Sequence, residues 1–295
     1  YTTPMIRAAI SNNLLLKLPQ KLYGIGPIFR RERPQKGRYR QFNQINFEVF
    51  GSIDSLADVD LIILADRILK ELFSNKGTKL HINSLGDKNT LQLYKKQLSI
   101  YFHKFKKELS EESLNKIDSN PLRILDSKNL KDQEISEKAP KIFEFYSADA
   151  KIKFLNVQKY LSNLSIDYII NPGLVRGLDY YCDTVFEFKT DELGSQDTLI
   201  GGGRYDGLIK TLGGPDIPGV GWAGGVERIL MLMENSELKK NKTCLILMNE
   251  NFREYGLTIL NKLRLNNIEV SFDYKYNIKK SLSSANQLGF ENAII

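Results

Sequence analysis

The stretch FRRERPQKGRYRQFNQINFEVFG, residues 29–51, decides the fold. Together with KLYGIGPIFR at 21–30 it reads as a hairpin, two strands around a long basic tip. In the second strand, alternation places Ile45, Phe47 and Val49 on one face and Phe42, Gln44, Asn46 and Glu48 on the other. One face is core and the other is polar. Because an unpaired buried carboxylate is costly, Gln44 and Glu48 need partners, and a cationic or hydrogen-bonding ligand supplies them. The tip carries Arg30, Arg31, Arg33, Lys36, Arg38 and Arg40 against a single acid, Glu32. Arginine forks bind phosphate oxygens two at a time, and Glu32 can accept from the amino group of a base. An exposed basic loop has the same composition.

Outward from the hairpin, Leu61, Leu64, Ala65, Ile68 and Leu72 recur at helical spacing between Ala57 and Phe73, and a short strand follows at Lys79–Asn83. From 88 to about 150 the character changes. Leu91, Tyr94, Leu98, Tyr101, Phe105 and Leu109 form a helical stripe among lysines, which predicts an inserted helical module. A helix at Ala150–Leu164 precedes DYIINPGLVRGLDYYCDTVFEFKT at 167–190, which reads as strand and is followed by TLIGGGRYDGLI at 198–209. The glycine-punctuated run LGGPDIPGVGWAGG at 212–225, which reads as a loop, then leads into an amphipathic helix, VERILMLMEN. SELKKNK at 236–242 is a linker candidate, after which TCLILMNE, a helix through Leu265, IEVSFDY, a second helix and ENAII alternate as βαβαβ.

Size and composition agree with this modular reading. At 295 residues, 42% hydrophobic and 26% charged, the chain has material for two domains and is not disordered by composition. A formal charge of +7 suits a phosphate-rich partner, and equally a solvated surface. Cys182 and Cys244 lie far apart, so neither a disulfide framework nor structural metal is indicated, and a reducing cytosol fits. No apolar run approaches a membrane span and no signal-peptide pattern is present, although a start at Tyr1 rather than Met points to sequence upstream.

Two further clusters bear on chemistry. In LVRGLDYY at 174–181, Arg176, Asp179, Tyr180 and Tyr181 sit among apolar neighbours, either as a site or as half-buried strand residues. In GGGRYDG and PGVGWAGGVER the glycines permit close approach of a ligand, and Arg228 falls in the first turn of the following helix. Neither run has the spacing of a P-loop or a dinucleotide fingerprint. His81 and His103 have no Ser or Cys motif beside them, which disfavours histidine-assisted nucleophilic catalysis and reads as structural.

Taken together, these motifs resemble a known family. FRRERPQKGRYRQFNQINFEVFG is similar to the second signature of class II aminoacyl-tRNA synthetases in its histidyl form. LVRGLDYY resembles the histidine-specific signature, and GVGWAGGVERIL the third; NPLRILDSK at 120–128 extends the likeness through the insertion. The resemblance implies an α+β fold, with an antiparallel catalytic sheet flanked by helices over 1–240. It also implies a helical insertion at about 88–150 near the tRNA acceptor stem, and part of an anticodon-binding α/β domain at 241–295. The implied reaction joins histidine to tRNA(His) through histidyl-adenylate, with ATP as substrate, Mg²⁺ as cofactor and no protein-bound metal site. Carried over by position, Arg30 holds the α-phosphate, Glu32 the adenine amino group and Arg228 the triphosphate, with Arg38 also in the ATP-binding set. Arg176 bridges the substrate carboxylate and α-phosphate. Thr2 and Gln44 face the α-amino group, Glu48 and Tyr181 read the imidazole, and Tyr180 joins the histidine-binding set. The resemblance further implies a cytoplasmic homodimer, and an upstream segment bearing one more glutamate ligand and the first signature. Asn46 departs from the pattern, standing where a glycine is common. The main rival is a non-catalytic paralogue that binds histidine and regulates its biosynthesis, for which the full arginine set and an anticodon domain are superfluous. A general tRNA-binding module accounts for the charge but not for Glu48 and Tyr181.

Overall fold

A computed structural model of the chain describes residues 1–31, 33–73, 77–176, 178–233, 243–266, 268–273 and 276–295, with only the backbone of 195 and 196. It divides into two compact units, 1–233 and 234–295. The linker candidate at 236–242 lies outside the described residues.

The first unit begins with α1 (Thr2–Ser11) and the antiparallel pair β1 (Gln20–Phe29) and β2 (Gln41–Phe50). Next come α2 (Ser55–Phe73) and β3 (Thr78–Ser84), followed by the short helices of the insertion: α3 (Lys88–Lys104), α4 (Glu111–Leu114) and α5 (Leu130–Glu137). Helix α6 (Ala148–Asn163) returns the chain to β4 (Tyr168–Ile170), β5 (Cys182–Thr190), β6 (Thr198–Arg204), α7 (Leu208–Thr211), β7 (Gly219–Gly225) and α8 (Val226–Leu232). The seven strands form one sheet in the order β1-β2-β7-β6-β5-β3-β4. All neighbours are antiparallel except β3 and β4.

Register divides this sheet into two unlike faces. Directly opposed residues of antiparallel strands project to the same side. Phe47 opposes Trp222, Trp222 opposes Gly202, Gly202 opposes Phe186 and Phe186 opposes Ile82. This row is apolar, and Val59, Ile62, Ala65 and Leu69 of α2 with Phe154, Val157 and Leu161 of α6 complete its core. The Phe47 and Trp222 rings lie 4.7 Å apart, and the indole N–H donates to the Leu61 carbonyl at 3.0 Å. On the other face, Asn46 opposes Gly24 and Ala223, Ala223 opposes Gly201, and Gly201 opposes Glu187.

Three readings of the sequence need correction. The buried line of α2 runs through Asp58, Leu61, Ile62, Ala65, Leu69 and Phe73; Leu64 and Ile68 are half-buried and Leu72 is exposed. Residues 61–65 are apolar all round, so spacing leaves the phase of the stripe open by one residue. LVRGLDYY is not strand but part of the connection between β4 and β5. GVGWAGG, read as a loop, is β7 itself, hydrogen-bonded on both sides by β2 and β6.

Buried polar groups fasten the remaining pieces. Asp58 and Arg204 are almost fully buried and ion-paired, and Arg204 also donates to the carbonyls of Ser52 at 2.7 Å and Asp54 at 3.1 Å. These bonds staple β6 to the start of α2; losing one charge of such a pair costs about 3–5 kcal/mol. In the insertion, Asp132 accepts from the hydroxyls of Ser110, Ser113 and Ser127 at 2.7, 2.6 and 2.7 Å. Burial works against its charge, but these bonds and the Ser110 N–H hold its pKa below the ordinary aspartate value.

The second unit alternates β8 (Thr243–Ile246), α9 (Arg253–Leu265), β9 (Val270–Asp273), α10 (Ile278–Gln287) and β10 (Asn292–Ile294). Its sheet is parallel, ordered β10-β8-β9. Among the described residues no helix is long and apolar enough to cross a membrane.

Candidate active site

A cavity of about 580 Å³ opens on the polar face of the large sheet. The hairpin contributes Arg30, Arg38 and Gln44, the β4–β5 connection contributes Arg176, and α8 contributes Arg228. Five of the sequence-predicted residues thus share one wall. Arg228 donates to the carbonyls of Gly37 and Thr198, both at 2.7 Å, which locks the tip of the hairpin against α8 and β6. Arg30 stands 4.8 Å over the Phe42 ring. Burial, then the neighbouring Arg30 and Arg38 charges, lowers the pKa of Arg228; burial and Arg38 do the same to Arg30. Cations that depress one another in this way gain from a polyanion placed between them.

Arg176 lies beside Gly201 of β6, where a Cβ would stand 2.5 Å from its Nη1. Only glycine lets the guanidinium rest on the sheet at that point. Its Nη1 donates to Glu187, and its carbon sits 5.4 Å from the Tyr181 ring centroid. Its Nε is buried with no partner among the described residues. Arg176 is therefore aimed and held, with donor capacity to spare.

Glu48 is 1% exposed. Its two oxygens accept from the hydroxyls of Thr2, at 2.7 Å, and Tyr205. The partners demanded by the sequence argument are thus supplied in part by the protein. A Cβ on Gly221, directly opposite in β7, would fall 1.5 Å from Glu48 Oε2, so this position requires glycine. Burial pushes the Glu48 carboxyl up to about 7 against the hydrogen bonds that favour its charged form. Tyr205, buried and beside Glu48, has its pKa raised well above the ordinary phenol value and remains the donor. Tyr180 and Tyr181 pack at 4.6 Å, and both meet Tyr205 edge to face, at 5.8 and 6.3 Å. One continuous set of contacts thus runs from Glu48 through Tyr205 and the tyrosine pair to Arg176. Of the predicted residues, Glu32 alone lies outside those described.

Several groups at this site escaped the sequence reading. Tyr205 sits in the quoted run GGGRYDG, yet nothing local shows that it meets Glu48, 157 residues away. Glu187, Lys189 and Asp197 line the cavity, as do Asp126 and Lys128 from the segment 120–128 of the insertion. The same segment reaches LVRGLDYY, where the Asn120 side chain donates to Asp179 at 2.6 Å. The strand alternation that exposed Gln44 and Glu48 also marks Glu187, between Phe186 and Phe188 in β5.

Comparison with known proteins follows the same lines. A family described as histidyl-tRNA synthetase matches residues 1–229. The histidine–tRNA ligase of Wolbachia pipientis subsp. Culex pipiens (strain wPip) is 46% identical over 295 residues, all of this chain and 72% of the relative's length. The crystal structure of apo S. aureus histidyl-tRNA synthetase superposes with a TM-score of 0.73 at 31% identity, over 98% of this chain and 73% of that one. A Bacillus halodurans protein titled ATP phosphoribosyltransferase regulatory subunit/histidyl-tRNA synthetase shares the fold, with a TM-score of 0.62 at 18% identity over 99% of this chain and 77% of that one. The antiparallel sheet, the arginine-lined cavity and the match over most of its length agree, and the chain belongs to the histidyl-tRNA synthetase family.

Proposed function

We propose that this chain is a histidine–tRNA ligase: it activates histidine with ATP on the polar face of its large sheet and passes it to the 3′ end of tRNA(His). The observation that carries the reading is the joining of two unlike surfaces through Arg176. On one side is the phosphate-suited cavity of Arg30, Arg38 and Arg228; on the other is the buried polar set of Glu48, Thr2 and three tyrosines. A regulatory histidine sensor needs the second surface but not the first.

The carboxylate of histidine is ionised at neutral pH and needs no general base. Its oxygen attacks the α-phosphorus of ATP; the new P–O bond forms as the bond to pyrophosphate breaks, and the electron pair leaves with pyrophosphate. Catalysis then rests on alignment and on stabilising charge. Arg30 and Arg176 serve the α-phosphate, Arg38 and Arg228 the triphosphate side, and Glu32 the adenine. Thr2 and Gln44 face the α-amino group, while Glu48, Tyr180 and Tyr181 surround the imidazole. In the second step a ribose hydroxyl of the tRNA attacks the acyl carbon, losing its proton and expelling AMP. Mg²⁺ takes oxygen ligands; it would be held by the nucleotide phosphates and would neutralise their charge there.

Residues 1–240 act as the catalytic domain, with the insertion at 88–150 toward the acceptor stem, and 241–295 as part of an anticodon-binding domain. A homodimer is in keeping with the exposed Tyr23, Ile25 and Phe29 of edge strand β1, and the cytoplasm with the two free cysteines. The test is ATP–pyrophosphate exchange by the full-length protein with each amino acid in turn, followed by tRNA charging across a salt series. Exchange restricted to histidine, with charging that weakens steeply as salt rises, is the expected result. Exchange without charging at any salt concentration favours a different acceptor.

A further inference from the structure

Asn46 occupies the middle of β2, two residues after Gln44 and two before Glu48, on the same face as both. It is 1% exposed, and neither its amide nitrogen nor its oxygen has a hydrogen-bond partner among the described residues. Burying such a group without a well-formed hydrogen bond costs folding free energy. The residues opposite it are small: Gly24 on β1 and Ala223 on β7, with Gly201 next in the row. The ring of Tyr1 closes the row above Gly24, and the guanidinium of Arg176 lies above Gly201. In that cross-strand row Asn46 is the polar side chain among Gly24, Ala223 and Gly201. Its amide is near enough to influence the Glu48 carboxylate without making a hydrogen bond of ordinary geometry to it.

We propose that Asn46 is a specificity-determining residue of the amino-acid pocket, whose side-chain amide hydrogen-bonds the imidazole of bound histidine beside Glu48. The inference rests on the reading of this site as histidine-activating. A neutral imidazole presents one N–H and one lone pair. Both Glu48 oxygens already hold a hydroxyl, and a carboxylate cannot serve the lone pair. The carboxamide offers donor and acceptor together, so it can serve whichever ring nitrogen Glu48 leaves unmet. A glycine here would leave the floor open and silent.

The experiment compares the full-length wild type with Asn46→Ala in pyrophosphate exchange, measuring KM and kcat for histidine, KM for ATP, inhibition by histidinol and the melting temperature. Histidinol keeps the imidazole and lacks the carboxylate. Loss of one hydrogen bond predicts a KM for histidine raised about tenfold and histidinol inhibition weakened in parallel. The same account predicts kcat and the ATP KM within threefold of wild type. The melting temperature changes little, because no hydrogen bond of ordinary geometry is lost. A histidine KM within twofold of wild type overturns the proposal. So does a lowered melting temperature with unchanged KM, which marks a structural amide. A raised histidine KM with unchanged histidinol inhibition also overturns it, by assigning the amide to the carboxylate. A wild type that exchanges with no amino acid sinks the reading of the site itself and this inference with it.

Discussion

On the α2 and α6 side of the large sheet, Phe47, Trp222, Phe186 and Ile82 run across the strands as a packed apolar row. On the opposite side β2 presents Asn46, with no hydrogen bond of ordinary geometry among the described residues, and Glu48, with its carboxyl pushed up to about 7, while the β4–β5 connection lays Arg176 against the sheet with its Nε unpaired among those residues. The first face contributes stability and is complete within the chain. The second holds groups whose burial costs stability, a cost that Thr2, Tyr205 and Glu187 offset only in part. Alternation along β2 is what permits this: Phe47 and Glu48 are neighbours in sequence and belong to opposite environments.

The largest expected effect falls on the polar face. Arg176→Ala should reduce histidine-dependent exchange by about 10³ to 10⁵, the range for arginines that stabilise phosphoryl-transfer transition states. Exchange per folded molecule should fall far more than stability, although Glu187 loses its Arg176 partner. A loss below tenfold in a folded variant breaks the comparison, because Arg176 would then belong to the scaffold. The mirror experiment is Trp222→Ala, which should lower unfolding free energy by about 3–5 kcal/mol in a denaturant titration. Activity per folded molecule should change little. Denaturation at wild-type midpoint with lost activity would place Trp222 on the wrong side of the division.

A smaller effect sharpens the contrast through pH. The Glu48 pKa is higher folded than unfolded, so its contribution is fully present below the unfolded value of about 4.5 and is lost as pH rises through about 7. Glu48→Gln removes that loss, and should gain up to about 3 kcal/mol over wild type at pH 8 relative to pH 4. Unfolding curves of both proteins at the two pH values measure this. An unchanged difference would mean that Glu48 does not pay an ionisation cost in the native state.

The division was legible in β2 because a period of two in Gln44–Val49 fixes which side chains share a face. It was not legible in α2, where five consecutive apolar residues hide the phase, or in LVRGLDYY, whose apolar and aromatic content matches a strand although the segment is a connection. The glycines of β7 read as loop because a single chain does not show its neighbours. Gly221 and Gly201 make room for Glu48 and Arg176, contacts set by pairing between distant segments. Tyr205 was missed for the same reason, since its role depends on register between β2, β7 and β6.

The central claim is that the polar face holds histidine through Glu48, and its most direct test is the specificity constant for histidine in exchange by Glu48→Gln at pH 8, where the wild-type carboxylate is ionised. Losing a hydrogen bond to a charged group predicts a fall of about a hundredfold. The melting temperature of the same sample should be no lower than wild type. A specificity constant within threefold of wild type contradicts the account.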